Sequence, residues 1–317
     1  MVQDVEEFSR LFRVKVPLLS QAHYYVDLLS RSAEYDWLPD AARQFAAFEE
    51  ECGTVSPGST KMQWVLRIKE ELLNSQPYRN YQRERVPREI SAVQRLHDHQ
   101  GNILFRIDIR SANYSVLRIF DQGRMLPPKW EAYLADRGVP EVLHTAKTFR
   151  QLIFGYLDSK GFQRHQLAFL DALYRLSGRA GFRGKDLLVL NGDELVLSAG
   201  NDPAVARERH EALLHHIDQA STPESRDLPN PYRGRLKVTA NILQLEDIPD
   251  LKNAYVIRHF EPVEGGLDLR YRSLHGVPGS LFYRLFRELI LSERPQPLDL
   301  LFTSENRLAR WVLPDEV

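Results

Sequence analysis

Residues 187 to 200 read LLVLNGDELVLSAG, two apolar runs joined through Asn191 and Gly192. Asn-Gly between strand formers is the strongest short hairpin signal, because both residues tolerate the positive φ of a tight turn. Runs this apolar predict strands covered on both faces, not a hairpin lying in solvent. Asp193 and Glu194 then stand at the lip of a buried sheet. Turns favour Asp in any case, so the pair gains chemical meaning only with a further carboxylate from elsewhere in the chain.

The flanking segments supply one. GNILFRIDI (101–109) reads as a strand, and PPKWEAYLADRG, VPEVLHTAKTFRQLIFGYL and RHQLAFLDALYRLSG read as helices. After the hairpin, Asp202 and Pro203 open a further helix, and RLKVTANILQL (235–245) is a strand. Strand, helices, hairpin, helix, strand is the βαββαβ order of an α+β, ferredoxin-like or palm fold. In that topology the first strand lies beside the hairpin, so Asp108 faces Asp193 and Glu194. Carboxylates converging on one sheet edge repel one another unless they hold cations. Two Mg²⁺ or Mn²⁺ ions per site, held by Asp108 and Asp193 with Glu194 assisting, suit phosphoryl transfer.

On these residues the chain resembles the family A DNA polymerases over its middle third. LVLNGDELVLSA is similar to that family's third motif, RIDIRSANYSVLR to its first and TAKTFRQLIFGYL to its second. Gly192 stands where the family has His, Arg150 holds a cation place with Lys147 one turn earlier, and no glutamate follows Ser111. The resemblance implies a template-directed DNA or RNA polymerase with Asp108, Asp193 and Glu194 as catalytic residues. Ser111 and Tyr114 join its nucleotide site, with Asn113 as an alternative for contacting the ribose.

The helical spacing adds to this. Lys147, Arg150, Gln151 and Phe154 share one face, while Val142, Phe149, Ile153 and Tyr156 form the expected core stripe. Cations below an aromatic suit a nucleoside triphosphate. The first hundred residues are mostly helical and thumb-like. There Lys61, Arg67 and Lys69, with Tyr78, Arg79, Tyr81, Arg83 and Arg85, could grip a primer-template backbone.

The expected layout is therefore 1–100 thumb-like, 101–122 and 165–245 palm, 123–164 a small fingers-like insertion, and 246–317 a C-terminal extension of two hairpins around a helix. A formal net charge of −1 confines any nucleic-acid surface to a local patch. The single cysteine, Cys52, excludes an internal disulfide, and the charged N-terminus and lack of a long apolar run point to a cytoplasmic chain without a membrane. Asn191-Gly192-Asp193-Glu194-Leu195 also resembles the Gly-Gly-Asp-Glu-Phe hairpin of diguanylate-cyclase palms. The surplus of helix between Asp108 and Asp193 favours the polymerase over the cyclase. A non-catalytic palm used for binding is the third alternative.

Overall fold

The computed structural model describes residues 4–84, 90–99, 101–121, 125–222, 225, 227–228, 232, 238–304 and 307–312. Five helices open the chain: α1 (Val5–Phe12), α2 (Ala22–Ser30), α3 (Leu38–Cys52), α4 (Pro57–Asn74) and α5 (Gln76–Arg83). Serines fix two of their starts. Ser56 Oγ accepts from Ser59 N ahead of α4, and Ser75 Oγ accepts from Tyr78 N ahead of α5. A proline in the first turn of each needs no hydrogen-bond acceptor.

Next come β1 (Val93–Gln94), β2 (Ile103–Ile109), α6 (Ala112–Ile119), α7 (Trp130–Ala135), α8 (Glu141–Thr145) and α9 (Lys147–Ser177). The expected separate helices on either side of residue 158 are one kinked helix. Asp158 leaves the helical region (φ −164°, ψ 76°), and its Oδ1 accepts from Gly161 N at 2.9 Å, so the second half of α9 carries its own cap. Tyr81 Oη donates to the other carboxylate oxygen at 2.8 Å.

The chain continues through β3 (Leu187–Asn191), β4 (Glu194–Gly200), α10 (Pro203–Ala220), β5 (Val238–Asp247), β6 (Tyr255–Val263) and β7 (Gly266–His275). It ends in α11 (Phe282–Leu285), a π-helical turn over Phe286–Ile290, and the β8 (Leu301–Ser304) and β9 (Arg307–Arg310) hairpin.

The main sheet has seven strands in the order β1-β3-β4-β2-β5-β6-β7, with every neighbouring pair antiparallel. Its centre, β3-β4-β2-β5, interleaves two split βαβ units. One crosses from β2 to β3 through α6–α9 with β4 between them. The other crosses from β4 to β5 through α10 with β2 between them. The protein is thus α+β with an antiparallel sheet. The first C-terminal hairpin widens this sheet, because β6 pairs along β5. Among the described residues no helix is long and apolar enough to cross a membrane.

Period-two alternation on β2 decides which side chains meet what. Ile103, Phe105, Ile107 and Ile109 face the helices, where Phe105 meets Phe182 and His210 edge-on at 5.6 and 5.2 Å. Leu104 faces the other way, into a second apolar cluster with Leu188, Val196, Leu243 and Ile257. Both faces are therefore covered at that end of the strand, which explains its near-continuous apolar sequence. Arg106 and Asp108 follow Leu104 on that second face and are only partly buried. Side chains from the N-terminal helices, from α7–α9 and from the sheet share one continuous core, including Phe45, Ile68, Trp130, Phe154 and Ile107.

Candidate functional site: a carboxylate edge near a basic helix start

The hairpin turn differs from the expected one by a single residue. Asn191 pairs with Glu194, so Gly192 and Asp193 make the two-residue connection, and Gly192 takes the positive φ of +55°. The consequence for the site is direct. Glu194 is the first residue of β4 and lies opposite Asp108 on β2, while Asp193 sits at the tip. Ile109 N donates to Asp193 O at 3.1 Å, tying the tip to the end of β2.

Arg106, two residues before Asp108, points to the same face. Its Nε lies 3.1 Å from Asp108 Oδ2 and 2.8 Å from Glu194 Oε1. The atom is sealed from solvent, yet its N–H is not aligned with an acceptor. The sequence reading missed Arg106, although the alternation that selects Asp108 selects it too. Burial lifts the Asp108 carboxyl to about 6; Arg106 opposes the shift, Glu194 and Asp193 add to it, and Lys147 opposes it.

Lys147 is the exposed first residue of α9, whose start has no side-chain cap. One turn on, Arg150 Nη1 donates to Ser111 Oγ at 3.2 Å. Burial pushes the Arg150 pKa down, and the charges of Glu131 and Asp193 hold it up. Ser111 lies between β2 and α6 in the left-handed region (φ 46°, ψ 48°), a conformation that costs a non-glycine residue about 1 kcal/mol or more. The fold thus brings Asp108, Asp193, Glu194, Ser111, Lys147 and Arg150 to one end of the sheet.

Other expected site residues are elsewhere. Phe154 is fully buried, with ring centroids 5.5 Å from Trp130 and 5.4 Å from Phe162, so it belongs to the core and not to a nucleotide face. Tyr156, expected in the core, is 52% exposed. Tyr114 is buried against Trp130 and Tyr133, and its hydroxyl donates to Pro127 O at 2.9 Å, which removes it from a nucleotide site. Asn113 Oδ1 accepts from Gln166 Nε2 at 2.6 Å. Gln151 is exposed and accepts from Arg13.

The expected nucleic-acid residues divide in the same way. Lys61 is buried in an ion pair with Glu7, and Tyr78 and Tyr81 are buried beside α9 (Tyr81 stacks on Phe162 at 4.6 Å), so none of the three presents its head group to a backbone. Arg67, Arg79 and Arg83 are exposed, and Lys69 is half-buried. The Arg67 guanidinium lies 4.7 Å from the Trp64 ring centre, and Lys69 Nζ lies 5.6 Å from that of Tyr156. Arg79 Nη2 donates to Asn74 O at 2.6 Å. Arg85 lies outside the described residues.

Among the described residues no group of three or more His, Cys, Asp or Glu side chains is close enough to hold a metal ion by itself. Asp108 and Asp193 still offer hard oxygen donors of the kind Mg²⁺ accepts, and that ion takes its remaining ligands from water and phosphate. No family model, curated protein or solved structure matches this chain.

Proposed function

We propose that the protein is a compact, divalent-cation-dependent nucleotidyltransferase built on a ferredoxin-like palm, adding nucleotides to the 3′-hydroxyl of a nucleic-acid primer. One observation carries this reading. The Asp108–Glu194 pair and the Asp193 tip lie at the end of the sheet near the start of α9, within electrostatic range of it: Lys147 acts on the Asp108 carboxyl and Asp193 on the Arg150 guanidinium. Carboxylates near two cations match a substrate that carries phosphates and brings a cation with it.

Asp108 and Asp193 would hold the divalent cation, which would lower the pKa of the attacking hydroxyl and offset the charge of the leaving pyrophosphate. Lys147 and Arg150 would take the phosphate oxygens, and the guanidinium would give up only one hydroxyl contact, to Ser111, in doing so. The 3′-oxygen bonds to the α-phosphorus, the bond from that phosphorus to the bridging oxygen breaks, and pyrophosphate departs. The hydroxyl proton passes to solvent or to Asp108. The exposed Arg67, Lys69, Arg79 and Arg83 are the remaining candidates for the primer or template backbone.

A second reading, a palm that binds without catalysis, is favoured by Arg106, whose charge already neutralises part of the carboxylate pair. One assay separates the two. A labelled primer, alone or annealed to a template, is incubated with dNTPs or NTPs and Mg²⁺ or Mn²⁺, beside Asp108→Asn and Asp193→Asn. Templated extension by wild type, reduced about 10³-fold in both variants, is expected. A cyclic dinucleotide without extension would move the protein to the cyclase class. Silence in every lane from folded protein would leave the binding palm.

A further inference from the structure

Arg106 stands at the carboxylate edge, and the proposed chemistry gives it no role. Its position is set by the sheet, because on β2 it shares a face with Asp108, with Ile107 between them pointing into the helical core. Its Nε lies within 3.1 Å of an oxygen on each of two carboxylates carried by different strands. Nη2 adds a contact of 3.5 Å to the other oxygen of Asp108. The Nε atom is shut off from solvent, and its N–H makes no aligned hydrogen bond. The guanidinium therefore acts on the pair mainly through its charge.

Asp108, Asp193 and Glu194 bring three negative charges when ionised, and Arg106 offsets one of them. The position between Asp108 and Glu194 is thus already held by a positive charge. A second ion bound between Asp108 and Glu194 would lie within about 3 Å of the guanidinium, where like charges repel strongly at protein-like dielectric. We propose, resting on the nucleotidyltransferase reading, that Arg106 takes the place of one of the two cations, so that the free site loads a single divalent ion at Asp108 and Asp193. Glu194 is then a positioning residue. It holds Arg106, and through Arg106 it holds Asp108, without itself ligating metal.

The test is a Mn²⁺ titration of the full chain, with free Mn²⁺ read from its electron paramagnetic resonance signal and without nucleotide. Wild type is expected to bind one ion, and Arg106→Gln to bind a second ion or to bind the first at least tenfold more tightly. Arg106→Lys keeps the charge and should restore the wild-type isotherm, which separates a charge effect from damage to the fold. Circular dichroism of each variant checks that it is folded. Equal binding of one ion by wild type and Arg106→Gln would overturn this inference and leave the proposed function standing. Two ions on wild type would do the same. No binding by any folded variant would overturn both.

Discussion

Phe154 and Tyr156 lie two residues apart on α9 and point in opposite senses: Phe154 is sealed against Trp130 and Phe162, and Tyr156 stands half in solvent beside Lys69. Of the two rings, Tyr156 is the one presented to solvent. Phe154→Ala is expected to cost about 3–5 kcal/mol of stability through the cavity it leaves. Tyr156→Ala should change stability by no more than about 0.5 kcal/mol. If Tyr156 stacks on a base, its loss weakens single-strand binding by at least about fivefold. Chemical denaturation and fluorescence anisotropy with a labelled oligonucleotide measure the two effects. Unchanged binding by Tyr156→Ala would remove this contact from the proposed surface.

The reversal on α9 shows where sequence legibility ends. The strand order was legible, because the sequence of strand, helices, hairpin, helix and strand puts β2 beside the hairpin, and the register sets Asp108 opposite Glu194. A helix offers no such certainty. The buried stripe of α9 takes in Phe149, Ile153 and Phe154, a broad face whose edge the 3.6-residue period leaves open. What meets that edge is decided by α7, through Trp130, which is remote in sequence. Lys61 was misread for the same reason. Its partner Glu7 is 54 residues away, and no local pattern announces a buried ion pair. Arg106 is the opposite case, because it stands two residues before Asp108 on the same strand and so shares its face.

Lys61 and Arg67 are six residues apart on α4 with opposite fates, and their substitutions should separate accordingly. Lys61→Met leaves Glu7 buried, with the exposed Arg10 at 3.8 Å. A loss of about 3 kcal/mol is expected, because an uncompensated buried carboxylate is costly. Adding Glu7→Gln to Lys61→Met should recover most of that loss. Arg67→Ala should leave stability within about 0.5 kcal/mol and reduce the salt dependence of nucleic-acid binding by about one ion, if Arg67 meets a phosphate. Urea denaturation of the single and double variants decides the first point. A double variant no more stable than Lys61→Met would mean that the pair is not what holds α1 to α4.

Acid should weaken the fold through histidines kept neutral in the core. Burial pushes the His165 pKa down to about 4, with Arg164 adding to the shift and Asp158 opposing it. His165 Nδ1 lies 3.2 Å from Tyr232 Oη, and its ring packs against Tyr81 and Phe120. Burial also lowers the pKa of His210, with Glu211 opposing, and neither ring nitrogen of His210 has a hydrogen-bond partner among the described residues. A folded-state pKa below the unfolded value means that the unfolded chain binds the proton first. The stabilising contribution is therefore complete above about pH 6.5 and is lost as pH falls toward 4. The carboxyls of Asp108, raised to about 6, and Glu34, raised to about 7, act in the other sense, so the pH profile of the wild type alone is a sum of opposed effects. A difference between variants isolates the histidine. His210→Phe, which keeps an aromatic ring beneath Phe105, should lie within about 1.5 kcal/mol of wild type at pH 7.5. Between pH 6.5 and 5 it should lose less Tm than wild type. Parallel Tm curves for the two proteins across that interval would show that His210 is not held neutral by its burial beneath the sheet.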